Sequence, residues 1–410
     1  MNTAAPAVDD RRAKRNVAVL FFTQAILGAQ LPVNIILGGL AGALLADNRA
    51  LATLPISVMV LLSMFSTLPV SHFMGRFGRK AGFLVGAVAG AIGGMLSTRA
   101  LLIESFELLL LGAAFTGVYQ STQGYFRFAA ADTASPAFKP KAISWVLAGG
   151  LLSALIGPEI VRSMGDYFAP VPYAGAYATI VLVNIIGACG IFFLDIPRPP
   201  QRAQGAPSGR PLIEILCQPR TVVAIVCAMI SYAMMALVMT STPLAMTDHG
   251  FTSNHAADVV RWHVLDVKPS FITGSLIARF GHVRIIALGL VALGVCSAIA
   301  LTGTDLHQFY LALVALGLGW NFGFIGGTSL LTTTHTIEEQ AKVQGLNDFL
   351  VLGLVTAASF SSGALLSLFG WNTVQLAMTP ALFVAAAALV WLTTSERRAP
   401  RTSPRCLNNQ

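Results

Sequence analysis

Six charged or titratable side chains interrupt a single apolar stretch in the second half of the chain. They are His255, Asp258, Arg261, His263, Asp266 and Lys268. In a membrane-spanning helix, an ionisable side chain near the bilayer centre costs at least about 2.5 kcal/mol, so these residues need partners or a water-filled cavity. Two interpretations stay open. The charges neutralise each other between helices, or some of them face a cavity and bind a polar substrate or carry a proton.

Spacing and acidity suggest separate roles within this charged stretch. Asp258 and Arg261 are three residues apart and could pair on one helix face, with Lys268 on roughly the same face. We expect His263 and Asp266 to be the titrating pair, because imidazole titrates near neutrality and desolvation raises the pKa of a carboxyl group.

Amide and aromatic side chains form a second set of candidates at mid-depth in other apolar stretches. They are Gln30 and Asn34, then Tyr119, Gln120 and Gln123, and finally Trp320 and Asn321. Flat aromatic faces together with amide donors and acceptors suit a planar heteroaromatic ligand that has imide and carbonyl groups. The alternative is that the aromatic rings fill helix contacts and the amides hydrogen-bond between helices.

The composition places all of these residues in a membrane protein. The chain has 410 residues, of which 55% are hydrophobic and 11% are charged, against about 25% charged in an ordinary soluble domain. A soluble globular fold is therefore excluded. The net charge of +8 has no polar domain on which to form a nucleic-acid surface, so we expect a lipid bilayer and a small molecule as partners.

The sequence contains no pattern typical of an enzyme or of a cofactor site. Its five cysteines lack metal-ligand spacing, and we find no nucleophile with a base and no phosphate-binding glycine loop. We therefore expect no catalytic residue, no metal and no cofactor.

Polar clusters divide the apolar sequence into about twelve helices. The predicted spans are 17–45, 50–73, 81–98, 106–128, 142–163, 174–195, 221–246, 255–278, 284–303, 307–331, 343–369 and 373–394. All 26 lysines and arginines except Arg49, Arg99, Arg162, Arg261 and Lys268 then lie on one side. By the positive-inside rule both termini are cytoplasmic. The prediction is a multi-pass membrane protein.

The middle of the chain divides these helices into two sets of six. Residues 196–219 are rich in proline and glycine, which favours a linker. We predict a cytoplasmic tail over 1–16, a first half over 17–195, this cytoplasmic linker, a second half over 220–394 and a cytoplasmic tail over 395–410.

A short repeat connects the two halves. Arg76-Phe77-Gly78 follows the second helix, and Arg279-Phe280-Gly281 follows the eighth, about half the chain later. Glycine permits a tight turn, and basic residues favour helix C-termini. The residues that we predict to form a cytoplasmic gate are Arg76, Gly78, Arg79, Lys80, Arg279, Gly281, Asn347 and Asp348.

The twelve helices, the central linker and Arg76-Phe77-Gly78-Arg79-Lys80 together resemble the major facilitator superfamily. The loop departs from the usual motif, with Ser71 at its first glycine and Gly75 at its acid. The resemblance implies an all-α polytopic fold with two pseudo-symmetric six-helix halves that alternate access to a central site.

Four segments resemble a narrower bacterial subgroup that includes the proteobacterial riboflavin transporters. They are YFRFAAAD at 125–132, PSFITG at 269–274, GWNF at 319–322 and KVQGLNDF at 342–349. This resemblance implies a monomeric secondary transporter that imports riboflavin or another planar heteroaromatic molecule.

Two other functions stay open from the sequence. One is a proton-coupled exporter of amphipathic drugs or metabolites, for which Gly157-Pro158 is a partial motif. The other, more remote, is a membrane-embedded enzyme or sensor, which would need a catalytic cluster or a signalling domain.

Overall fold

The computed structural model describes residues 10–135, 138–196, 209–265, 270–336 and 339–398. Asp266 and Lys268 lie outside these residues, as do half of the predicted linker and most of both tails. Within the described ranges the regular structure is entirely helical.

The helices before the linker are here called the N-half. Its members are α1 (Arg11–Gly28), α2 (Gln30–Leu45), α3 (Leu54–Phe77), α4 (Arg79–Leu102), α5 (Phe106–Gln123), α6 (Phe126–Asp132), α7 (Lys139–Met164) and α8 (Ala174–Phe192). The first predicted span is thus broken at Ala29, and the fourth is broken at Gly124 and Tyr125.

The helices after the linker are here called the C-half. They comprise α9 (Leu212–Leu216), α10 (Pro219–Asp248), α11 (Ser253–Leu265), α12 (Ser270–Phe280), α13 (His282–Leu301), α14 (Leu306–Trp320), α15 (Gly326–Leu331), α16 (Gln340–Phe369), α17 (Trp371–Leu376) and α18 (Met378–Arg398). A π-helical turn over Asn321–Ile325 joins α14 to α15.

The repeat predicted from the sequence forms the same turn in both halves. Gly78 and Gly281 have φ of +91° and +83°, and each donates its N–H to the carbonyl oxygen four residues earlier, at 2.8 Å. This left-handed backbone is unfavourable for residues with a Cβ, so glycine ends α3 and α12. Arg76 and Arg279 then each lie over the ring of the following phenylalanine.

The two turns lie on the same side of the molecule. Arg49, between α2 and α3, forms an ion pair with Asp248 at the end of α10. The ends of α2 and α10 are therefore neighbours. From there α3, and the pair α11 and α12, return to the other side of the molecule, where they end at Gly78 and Gly281. We call the side with both turns the repeat face and the side with Arg49 and Asp248 the opposite face.

Nine helical segments of the described chain are long and apolar enough to cross a membrane. They cover Arg11–Leu45, Arg49–Phe77, Arg79–Leu102, Ala174–Phe192, Pro219–Asp248, His282–Leu301, Leu306–Leu331, Lys342–Phe369 and Trp371–Glu396. The other three predicted spans correspond to α5, to α7 and to the pair α11 and α12. The described helices α11 and α12 have 13 and 11 residues, so each alone is too short to cross a membrane.

Both halves have a clamp on the repeat face, just before their first helix. Ser135 donates its N–H and Oγ–H to the Asp10 carboxylate, at 2.9 and 2.8 Å, and these bonds lower the pKa of Asp10. Arg210 donates its N–H, Nε and Nη2 to Glu339, at 2.8, 2.8 and 2.9 Å. The Arg210 guanidinium holds the pKa of Glu339 well below its usual range. Ser135 and Glu339 precede α7 and α16 respectively.

Glycines bring α4 and α5 into backbone contact. A Cβ built on Gly112 would lie 2.9 Å from the Gly93 carbonyl oxygen, and one built on Gly93 would lie 2.8 Å from the Gly112 carbonyl oxygen. Backbone atoms cannot rotate away as a side chain can, so this crossing excludes larger residues. The position of α5, which carries Tyr119, Gln120 and Gln123, depends on this contact.

We predict that Gly112→Ala destabilises the protein by about 1–3 kcal/mol, because an added methyl group overpacks the crossing. Gly294→Ala is the matched control, since a Cβ at this α13 position meets no atom within 4 Å. It should be neutral or stabilising by up to about 1 kcal/mol through helix propensity. The measurement is the apparent Tm of the two purified variants, and equal Tm values would contradict the packing argument.

Candidate functional site

The two halves are joined by polar contacts at the opposite face. Two ion pairs cross between them there, Arg49 with Asp248 and Arg162 with Asp258. Ser57 Oγ of α3 also donates to Ser359 Oγ of α16 at 3.1 Å. We call these three contacts the opposite-face latch. Asp258 thus pairs with α7 of the other half, and not with Arg261 on its own helix.

Apolar contacts extend from the latch to about mid-depth. Val60 of α3 packs in one buried cluster with Val351 and Val355 of α16. Further along α3 burial falls, and Phe65 and Leu68 are 59% and 73% exposed. The first part of α3 therefore carries most of the contact with the C-half.

Charged residues face each other across the halves nearer the repeat face. Arg127 of α6 and Asp348 of α16 are both exposed. Arg127 lies close enough to Asp348 and to Tyr232 of α10 for its charge to reach both side chains. The two exposed charges lie in different halves, and we call the space between them the cleft.

Three aromatic rings of the C-half cluster next to this cleft. Trp320 and Phe324 are stacked, with ring centroids 5.6 Å apart and an interplanar angle of 12°. Tyr232 meets both rings edge to face, at 5.7 and 5.0 Å. Tyr232 and Phe324 also pack against the buried cluster that contains Val60 of the N-half. All three rings are half-buried, so part of each remains accessible.

The π-helical turn after α14 positions Trp320 and Phe324. A Cβ on Gly289 of α13 would lie 2.4 Å from the Gly323 nitrogen, so the two backbones touch. Asn321 is fully buried and accepts a hydrogen bond from Thr273 Oγ1 of α12 at 2.6 Å. Such π-helical turns occur often at functional sites.

A family model of the Major Facilitator Superfamily matches residues 17–260 and 270–408. The chain belongs to the major facilitator superfamily. It is a multi-pass membrane transporter and not an enzyme.

Several known proteins resemble this superfamily member along nearly its whole length. The riboflavin transporter RfnT of Brucella anthropi is 40% identical over 384 residues, which cover 93% of this chain and 96% of the relative. The uncharacterised transporter YddS of Bacillus subtilis is 27% identical, with 94% and 92% of the two chains covered.

Solved structures show the same fold. Two crystal structures of the nucleoside transporter NupG superpose with TM-scores of 0.74 and 0.71, over 93% of this chain and 100% and 99% of theirs. Their identities of 15% and 14% limit this likeness to the fold.

Within this superfamily fold, some candidate residues predicted from the sequence lie inside one half. Gln30 forms a reciprocal amide pair with Asn184 of α8 at 3.2 Å, and Asn34 donates to the Gln30 carbonyl oxygen at 2.7 Å. Tyr119 is buried beside Gln30. His263 is buried in the C-half, with Nδ1 2.9 Å from the Leu313 carbonyl oxygen.

Other candidate residues have accessible or unpartnered polar atoms. Gln120 is half-buried, and its Oε1 has no hydrogen-bond partner among the described residues; the same holds for Trp320 Nε1. Gln123 approaches Gly28 at the break after α1. Their ability to bind a substrate stays a prediction.

The predicted gate residues connect helix ends on the repeat face. Arg79 Nε donates to Asp132 at 3.0 Å, and Lys80 Nζ donates to the Phe192 carbonyl oxygen at 2.6 Å. On α16, Asn347 Nδ2 donates to Asp348 at 3.1 Å.

Phe324 and Tyr232 were not singled out from the sequence as site residues. The Arg127 charge was used to assign topology. Phe324 follows Trp320 by four residues, which is a same-face spacing, although the π-helical turn intervenes. Tyr232 is the single aromatic residue of α10. Arg127 was assigned only as a positive charge on the inner side.

We predict that Arg49→Glu weakens the latch and exposes the residues behind it. The reporter is a cysteine at Val355, which is buried behind the latch, in a variant whose five native cysteines are replaced, labelled by a membrane-impermeant maleimide. Because an exposed ion pair contributes about 0.2–1 kcal/mol and reversal adds repulsion, the labelling rate should rise about twofold to fivefold.

Two further variants make this test specific. Arg49→Glu with Asp248→Arg restores the pair and should return the rate to its starting value. Arg99→Glu reverses an exposed charge on the same face and should leave the rate unchanged. Equal labelling in Arg49→Glu and Arg99→Glu would contradict the latch.

Proposed function

We propose that this protein imports riboflavin across the bacterial inner membrane by alternating access. The identity of 40% to the riboflavin transporter of Brucella anthropi supports the substrate. The structural observation that carries the proposal is the cluster of Tyr232, Trp320 and Phe324 beside a cleft between the halves. A flat stack of rings suits a flat ligand.

The proposed topology has twelve crossings, with α5, α7 and the pair α11 and α12 added to the nine apolar segments. The halves 17–195 and 220–394 move about the central site, joined by the linker 196–219. The excess of lysine and arginine on the repeat face supports cytoplasmic tails over 1–16 and 395–410. The proposed oligomeric state is a monomer.

The proposed site divides the work of binding between the halves. The isoalloxazine ring of riboflavin has apolar faces and an edge with imide and carbonyl groups. One face continues the stack by packing on the Trp320 ring, as aromatic pairs favour offset stacking. Trp320 Nε1 can donate to a ring carbonyl oxygen, and Gln120 Oε1 can accept the imide N–H. Gln123 offers a further amide from the N-half.

We propose supporting roles for candidates whose hydrogen bonds are made within one half. Gln30 joins α2 to α8 through its amide pair with Asn184, Asn34 bonds within α2, and the buried Tyr119 packs beside Gln30. Asn321 fixes the π-helical turn. Asp258 acts in the latch. Proton coupling through the pair His263 and Asp266 stays a prediction, as does a role for Arg261 and Lys268 in the charge network.

With the repeat face in the cytoplasm, the structure corresponds to an inward-facing state. The latch closes the outer side, and the cleft with Arg127 and Asp348 opens inward. Uptake requires the latch to open while the gate residues on the repeat face approach one another. A ligand drives this exchange only through its different affinity for the two states.

We predict that Trp320→Ala raises the KM for riboflavin uptake about fivefold to 150-fold. Stacking of a flat heteroaromatic ring on an aromatic side chain contributes about 1–3 kcal/mol. Trp320→Phe should retain most of the affinity. Trp391→Ala is the matched control, because Trp391 is an exposed tryptophan of α18, and its KM should not change. The measurement is uptake of labelled riboflavin at matched membrane abundance.

The outcomes separate the site from the substrate. Equal KM values in Trp320→Ala and Trp391→Ala would reject the site while keeping the substrate. If the unaltered protein does not let a riboflavin auxotroph grow on low riboflavin, the substrate is wrong. Raised drug sensitivity on deletion, with unchanged riboflavin uptake, would favour the exporter.

A further inference from the structure

Two grooves of similar size lie on the outer surfaces of the two halves. Each has a volume of about 430 Å³. The N-half groove lies between α1 and α7 and is lined by Lys14, Val17, Ala18, Phe21, Phe22, Phe138 and Trp145. The C-half groove begins beside the turn before α13 and is lined by Phe280, Arg284, Ala287, Leu288 and Val291.

The two grooves have the same order of residues along their helices. In α1, Lys14, Ala18 and Phe22 are spaced by four and lie on one face. In α13, Arg284, Leu288 and Val291 have nearly the same spacing. Each groove thus has one cation at its end and an apolar wall that extends about 10–12 Å along the helix, at 1.5 Å per residue.

Both cations lie at the repeat face, because α1 and α13 begin there. Lys14 and Arg284 are exposed, and within the described residues neither side chain has a hydrogen-bond or ion-pair partner. The charge of Asp10 reaches Lys14, but the Asp10 carboxylate is already bound by Ser135. An exposed cation beside an apolar groove at the membrane boundary can form an ion pair with the headgroup of an anionic lipid.

The exposed aromatic residues agree with a lipid-facing position. Phe22 and Trp145 are 62% and 59% exposed, and the Phe21 ring lies 6.3 Å from that of Trp145, edge to face. Tryptophan favours the interface between headgroups and hydrocarbon. The rings widen the wall next to Ala18, whose small side chain forms the floor of the groove.

We propose that each groove binds one anionic phospholipid of the leaflet at the repeat face. The phosphate pairs with Lys14 in the N-half and with Arg284 in the C-half, and one acyl chain lies along the apolar wall. Basic pockets between membrane helices bind anionic headgroups in this way. The proposal does not depend on riboflavin as the substrate.

The test uses the purified full-length protein with added phosphatidylglycerol or phosphatidylethanolamine, and native mass spectrometry counts the bound lipids. We expect two tightly bound phosphatidylglycerol molecules. Lys14→Gln and Arg284→Gln should each weaken one of them about fivefold, and the double variant should weaken both. Arg99→Gln removes an exposed cation from the opposite face and should change nothing.

A second pair of variants keeps the charges and fills the grooves. Ala18→Leu and Ala287→Leu should each displace one phosphatidylglycerol while the apparent Tm of the purified protein in detergent stays unchanged. The proposal is overturned if phosphatidylethanolamine binds equally well, if the double charge variant still holds two lipids, or if Arg99→Gln loses as much lipid as Lys14→Gln.

Discussion

The architecture depends on where the two halves touch. Their contact runs from the latch through Ser57 and Ser359 to the apolar pairing of Val60 with Val351 and Val355. Because this contact lies between the opposite face and mid-depth, the remaining surfaces of α6, α10 and α16 border a cleft. The same contact determines from which side of the membrane a ligand can reach the aromatic cluster.

A bilayer supplies no hydrogen bonds, and this condition separates supporting polar groups from exposed ones. Most polar side chains within the helices are satisfied nearby, as Gln30 is by Asn184 and His263 by a backbone carbonyl. Gln120 Oε1, Trp320 Nε1 and Asn347 Oδ1 have no partner among the described residues. An unsatisfied buried polar group costs about 1–3 kcal/mol, so these atoms are among those that a ligand or water would stabilise.

The sequence predicted features that are local or repeated, and it missed features made by distant residues. Membrane insertion follows from the apolar composition. The turns at Gly78 and Gly281 follow from the repeated Arg-Phe-Gly segment, because glycine adopts the left-handed backbone of such a turn without strain. Asp258 was expected near Arg261, three residues away, because only its own helix could be considered. Its partner is Arg162, 96 residues earlier, and spacing along the sequence carries no information about that pair.

The two clamps of the repeat face show what has been duplicated in this chain. Asp10 binds Ser135, and about half the chain later Arg210 binds Glu339, so the acid changes from the lead-in segment to the loop. Sequence comparison of the halves would not align these pairs, because residue types and charge are exchanged. The geometry is nevertheless the same, a segment before the first helix bound to the loop before α7 or α16. Both of these helices contact the other half, so each clamp connects a chain terminus or the linker to a surface that must move during transport.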